Sequence, residues 1–143
     1  MNLLKKRNMQ DKHLFEYAVI RIVPCVEKEE FINAGIIFYC APKKFLQVKY
    51  QLNEKKIHVF ADKLDIKELE KRLEAFTQIA NGSKEGGVIA ALPSASRFRW
   101  LSATKSTVIQ TSPVHPGLCI DPYETMMRLF LQTSTACVRY STS

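Results

Sequence analysis

From residue 13 onward, apolar and polar positions alternate with a period of two. Between Phe15 and Pro24, the side chains Phe15, Tyr17, Val19 and Val23 share one parity with Arg21, while Ala18, Ile20 and Ile22 take the other. Both sides of this predicted strand are largely apolar, which suits a central or covered position, and Pro24 ends its pairing. Val26 to Asn33, with Glu27, Glu29 and Glu30, reads as a turn or a single helical turn. Ala34 to Ala41 is an unbroken apolar run rich in β-branched residues, the pattern of a buried strand. Gly35 inside it marks a bulge or a close backbone approach. After a turn at Pro42, Leu46, Val48, Tyr50 and Leu52 alternate with Gln47, Lys49 and Gln51, as in a half-exposed antiparallel strand. Ile57 to Phe60 reads as a short fourth strand.

The period then changes. Ile66, Leu69, Leu73, Phe76 and Ala80 recur at three-four spacing and predict a helix over Asp65–Ala80. Asp65 and Glu68 form a capping-box pattern, and Asn81-Gly82 supplies a left-handed stop. Val88 to Leu92 fits a helical turn or a short strand, ended by Pro93. Arg97–Ala103 and Ser106–Ser112 read as a β-hairpin around Thr104–Lys105, with a four-residue loop favoured because Thr-Lys lacks the residues of a tight two-residue turn. That register lays Arg97 and Arg99 beside Gln110 and Ser112 on the outside, and turns Phe98, Trp100 and Ile109 inward. Ser112 to Gly117 reads as a turn. Asp121-Pro122 starts a last helix, with Tyr123, Met126, Met127 and Phe130 as its apolar stripe. The expected architecture is a single α+β domain over residues 13–132. A mostly antiparallel sheet of five or six strands carries the Asp65–Ala80 and Asp121–Gln132 helices on one face. Residues 1–12 form a basic, disordered tail in this reading, and residues 133–143 a frayed one.

Composition narrows the class. The chain has 143 residues, 46% hydrophobic and 24% charged, ordinary for one globular domain. At this size roughly two-thirds of the unfolded surface is buried, so neither disulfide nor metal is required. No apolar run reaches the ~18 residues of a membrane span, and no apolar stretch follows the charged N-terminus as a secretory signal would require. Both point to the cytoplasm and away from the membrane. The net charge of +7 is concentrated at the start, where Lys5, Lys6, Arg7 and Lys12 face a single Asp11. The remaining surface is only modestly basic, unlike the one-sided charge of most nucleic-acid binders.

The candidate chemistry is sparse. Cys25, Cys40, Cys119 and Cys137 form no C-x-x-C pair and have no histidine at ligand spacing, so no metal is expected. Cys25 and Cys40 read as small buried hydrophobes. Gly82, Gly86 and Gly87 match no phosphate-binding loop, so no cofactor is expected. His115, held between Pro113 and Pro116, could act with Ser112 and Asp121 as a nucleophile–base grouping, although there is no G-x-S-x-G elbow. The competing reading is a histidine that bonds a turn or packs on the last helix. Arg97, Arg99, Gln110 and His115 are the candidate binding residues, since guanidinium groups grip phosphate or carboxylate. Against that stands an ion pair with Glu16 or another carboxylate. Arg21 needs a partner if buried, with Glu30 on offer. Trp100 is expected in the core; exposed, it would mark a partner surface.

Glu16-Tyr17-Ala18, the run Glu30 to Gly35, Arg97-Phe98-Arg99-Trp100-Leu101 and Ser106 to Gly117 together resemble a bacterial family called domain of unknown function 3037. The resemblance covers residues 15–131. It implies a small bacterial cytoplasmic protein and carries no activity, cofactor or catalytic residue. It also implies an accessory or regulatory role beside HipA-like kinases, by analogy alone. With catalytic and cofactor signatures missing, the leading expectation is a non-enzymatic module that binds another protein. Two alternatives stand beside it. One is nucleic-acid or nucleotide binding by Arg97, Arg99, Lys105 and the basic N-terminal arm. The other is a small hydrolase or nuclease using His115 with Ser112 or Asp121.

Overall fold

The computed structural model describes residues 11–24, 30–61, 63–106, 108–135 and 139–140. Most of the expected N-terminal tail, the acidic run at Val26–Glu29, Cys25 and Cys137 lie outside the described residues. The strands are β1 (His13–Ile22), β2 (Glu30–Cys40), β3 (Phe45–Tyr50), β4 (Ile109–Thr111), β5 (His115–Cys119) and β6 (Arg139–Tyr140). The helices are α1 (Glu54–Phe60), α2 (Ile66–Asn81), α3 (Gly87–Ala90), α4 (Ser94–Ser102) and α5 (Pro122–Thr135). Every pairing among them is antiparallel. The main sheet runs β3-β2-β1, and β4 and β5 share the far side of β1. β6 pairs with β2 at Glu30 and Phe31. The expected α+β class, with a mostly antiparallel sheet in one domain, holds.

One part of that expectation is corrected: the two long helices lie on opposite faces. Ile37 and Tyr39 of β2, with Ile20 and Ile22 of β1, pack against Leu69, Leu73 and Phe76 of α2. Ile36, Phe38 and Cys40 point the other way, with Phe15 and Val19, onto Met126 and Phe130 of α5. Successive strand residues face opposite sides, so a strand apolar at both parities needs cover on both. β1 and β2 are such strands. The covering of each face removes large apolar side chains from water, which is the main source of stability here.

β2 carries a bulge. Ile20 pairs with Gly35 and Arg21 with Asn33, which leaves Ala34 as the extra residue. The Ala34 carbonyl accepts the Gln51 N–H at 2.8 Å. Gly35 sits where β3 crosses closest: a Cβ there would overlap the Lys49 carbonyl and lie 2.8 Å from Tyr50 Cα. The bulge and the close approach expected at this glycine are both present.

The helix ends follow the capping rules. Asp65 accepts the Glu68 N–H at 3.2 Å, and Gly82 closes α2 with φ +68°. Asp121 accepts the Glu124 N–H at 3.2 Å, with Pro122 in the first turn of α5. α5 continues to Thr135, past its expected end at Gln132. Ile57–Phe60 is a helix rather than a fourth strand: Asn53 caps α1 by accepting the Lys56 N–H, and only Ile57 is buried.

The largest correction concerns Arg97–Ala103. It is not a hairpin strand but most of α4. Ala95, Phe98 and Leu101 recur every third residue and all pack into the α2-side core. Over five residues, Phe98 and Trp100 also satisfy a period of two, so the short pattern is compatible with either element. The tight turn lies later than expected, at Ser106–Ile109, where the Ser106 N–H donates to the Ile109 carbonyl at 3.0 Å. His115–Gly117 is likewise edge strand rather than turn, the location in which Pro116 is tolerated.

Candidate functional site

Helix α4 has one buried side and one bare side. Inward, the Phe98 ring stacks on Tyr39 with centroids 5.2 Å apart, and Leu101 is fully buried. Outward, Arg99 is exposed and Trp100 is 45% exposed. The indole expected in the core is therefore at the surface. The reason is the helical turn, which separates Trp100 from Phe98 by roughly 200° instead of aligning them.

Arg97 lies between these two sides and has a structural task. Its Nη1 donates to the Ile79 carbonyl at 3.0 Å and to the Ala80 carbonyl at 2.6 Å, and its Nε donates to the Leu92 carbonyl at 2.8 Å. The last carbonyls of a helix lack intrahelical donors and carry the negative end of its dipole. The guanidinium thus latches α4 and the segment before it onto the C-terminal end of α2. It is engaged with backbone oxygens, not with Glu16 and not with a free anion-binding face.

Gln110 and His115 are on the other side of the sheet. Gln110 is the cross-strand partner of Arg21, whose Cζ stands 4.3 Å above the Phe31 ring. Its Nε2 donates to the Ser106 carbonyl at 3.3 Å. His115 is exposed and faces Tyr17 across the β1–β5 pair, with rings 5.4 Å apart. The four candidate binding residues are thus split: Arg97 and Arg99 belong to α4 on one side, Gln110 and His115 to the strands on the other.

Ser112 is 3% exposed. Its Oγ accepts the Val19 N–H at 2.8 Å and donates to the Pro113 carbonyl at 2.9 Å. Asp121 is the cap of α5. Among the described residues no hydrogen bond joins Ser112 to His115 or His115 to Asp121, and no group of three His, Cys, Asp or Glu side chains could hold a metal. The linked nucleophile, base and orienting group that acyl transfer needs are not assembled.

A recess of about 100 Å³ opens beside the β2 bulge, between Asn33, Asn53, Lys56 and Ser134. Asn33 Nδ2 donates to the Thr133 carbonyl at 3.4 Å. That carbonyl can only accept, so Oδ1 must point elsewhere; it is buried and has no partner among the described residues. Sequence reasoning singled out Asn33 only as part of a motif. Its one local signal is a carboxamide beside Gly35 at the edge of an apolar run.

A family model described as "Protein of unknown function (DUF3037)" matches residues 17–133. No curated protein and no solved structure matches the chain.

Proposed function

The chain belongs to the DUF3037 family, and from that premise we propose that it is a non-enzymatic accessory module that engages another protein through the outer side of α4. The observation that carries this reading is Trp100, 45% exposed on a helix whose opposite side is anchored in the core. A large aromatic held on a rigid element loses little conformational freedom when it enters a partner's pocket, and Trp and Arg dominate binding hot spots. Arg99 and Lys105 are exposed along the same stretch, and the chain as a whole carries +7. The partner surface that fits is acidic, with an apolar pocket for the indole. Among the described residues no helix is long and apolar enough to cross a membrane.

The HipA-like kinases implied by the resemblance supply the first partner to try. The chain is purified with such a kinase from its genomic neighbourhood, alongside Trp100→Ala and Arg99→Glu. A complex that survives gel filtration for the parent chain and weakens at least about tenfold in each variant supports the reading, since a hot-spot residue accounts for ~2 kcal/mol or more. Equal binding by all three proteins removes α4 from the interface. A parent chain that binds no neighbour removes the reading itself.

A further inference from the structure

Cys40 ends β2 and Cys119 ends β5, the two strands that flank the N-terminal half of β1. Both thiols belong to the cluster of Phe15, Phe38, Met126 and Phe130 on the α5 side of the sheet. They are free and buried, and they hydrogen-bond each other. Two thiols so distant in sequence meet only because β1 places both neighbours at one end of the sheet. Cys119 also lines an open cleft of about 380 Å³, whose charged walls are Lys12, Asp121, Glu124 and Arg128. A buried thiol is usually inert because nothing reaches it. This one has a second thiol behind it and an opening in front.

We propose that Cys119 and Cys40 form a thiol–disulfide exchange site for a small zwitterionic disulfide of the oxidised glutathione class. The carboxylates of such a molecule complement Lys12 and Arg128, and its ammonium groups complement Glu124 and Asp121. Cys119 loses its proton to solvent, and its thiolate attacks one sulfur of the incoming disulfide. That S–S bond breaks, the first small thiolate leaves and takes up a proton, and a mixed disulfide remains on Cys119. Cys40 then loses its proton and attacks the Cys119 sulfur, expelling the second small thiol. The protein loses two hydrogens, the small disulfide gains two, and a Cys40–Cys119 bridge joins the ends of β2 and β5 across β1.

Burial, then the neighbouring Cys40, then Asp121 push the Cys119 thiol up to about 11, with Lys43 pulling the other way. The reactive thiolate is scarce at neutral pH, so the first step accelerates about tenfold per pH unit through the range below that value.

The test uses the full chain carrying Cys25→Ser and Cys137→Ser, incubated folded with oxidised glutathione from pH 7 to pH 10. Samples are quenched by acid and alkylation and mapped by peptide mass spectrometry. The expected product is a Cys40–Cys119 linked peptide lacking two hydrogens, forming about tenfold faster per pH unit. Adding Cys40→Ala is expected to leave a stable mixed disulfide on Cys119. A linked peptide that is absent, or that forms only after guanidinium unfolding, overturns the proposal. So does glutathione recovered on Cys40 rather than Cys119 in the corresponding single-cysteine chains. None of these outcomes depends on what α4 binds.

Discussion

The Ser112 hydroxyl stands in for a strand carbonyl opposite Val19. β4 pairs with β1 so that Ile20 faces Thr111, whereas β5 pairs so that Tyr17 faces His115. The segment between them is one residue too long. Ser112 keeps its own N–H on the Val19 carbonyl at 2.8 Å. The Val19 N–H is then met by Ser112 Oγ, also at 2.8 Å. Removing that hydroxyl strands a buried donor, which costs about 1–3 kcal/mol. Ser112→Ala is expected to lower the urea midpoint accordingly with an unchanged slope. A midpoint equal to the parent's would show that the bond contributes nothing.

Arg97 and the α2 carbonyls make a second measurable pair. Arg97→Met removes three charged hydrogen bonds and leaves the Ile79 and Ala80 oxygens without them. The expected loss is on the order of 2–3 kcal/mol, with faster amide exchange at Gly82 and Ser83. Arg97→Lys is expected to recover less than half of it, because one ammonium cannot span Leu92 and the α2 end together. Full rescue by lysine would mean that charge alone matters.

At Gly35 the argument is steric. A methyl group would collide with the backbone of Lys49 and Tyr50, so β3 must separate from β2 or the bulge must move. Gly35→Ala is expected to destabilise the protein by roughly 1–3 kcal/mol or more, although alanine is the better residue in most of a chain. A neutral or stabilising effect in thermal unfolding would contradict the close packing.

Phe98 and Trp100 should respond oppositely to two assays. Phe98→Ala empties a buried, stacked position and is expected to cost about 3–5 kcal/mol of stability. Trp100→Ala should cost far less stability and far more partner binding. If the indole proves the more important for folding, its exposure has been misjudged and α4 carries no binding surface.

The alkaline limb of stability follows from two acids held in their neutral forms. Cys119 is raised from 9.0 to about 11, mainly by burial. Tyr50 is raised above 10.0 by burial and by Glu74, to which its hydroxyl donates. In both cases the folded state keeps a proton that the unfolded state releases, so stability falls as pH climbs. The Cys119 contribution is fully present below pH 9.0 and is lost as pH rises to about 11. Cys119→Ala is expected to flatten the urea midpoint over that window, and Tyr50→Phe to flatten it above pH 10. Midpoints that decline alike in all three proteins would assign the limb to other groups.

Much of the scaffold was legible in the pattern. The caps at Asp65, Gly82 and Asp121 could be named because each depends on the local chain alone. The cover on both faces was also written there, in the apolar parities of Phe15–Pro24 and Ala34–Ala41, though one-face packing was the expectation drawn. What misled was brevity. Between Arg97 and Leu101 a period of two and a spacing of three coincide, and only Arg97 reaching the end of α2 decides between them. Ile57–Phe60 failed in the same way. The candidate site was less legible than the fold. The meeting of Cys40 with Cys119, and the burial of Asn33 Oδ1, depend on which strands become neighbours, and no local pattern encodes that.

The order of strands around β1 has a consequence for synthesis. β1 meets β2 soon after it is made, but its other side is completed only by Ile109–Cys119, near the far end of the chain. Until those residues leave the ribosome, a row of backbone donors and acceptors flanked by isoleucine, valine and phenylalanine stands open to any passing extended peptide. Nascent molecules of this protein are therefore most vulnerable to mispairing late in translation, and a chaperone that shields that rim has its longest task there.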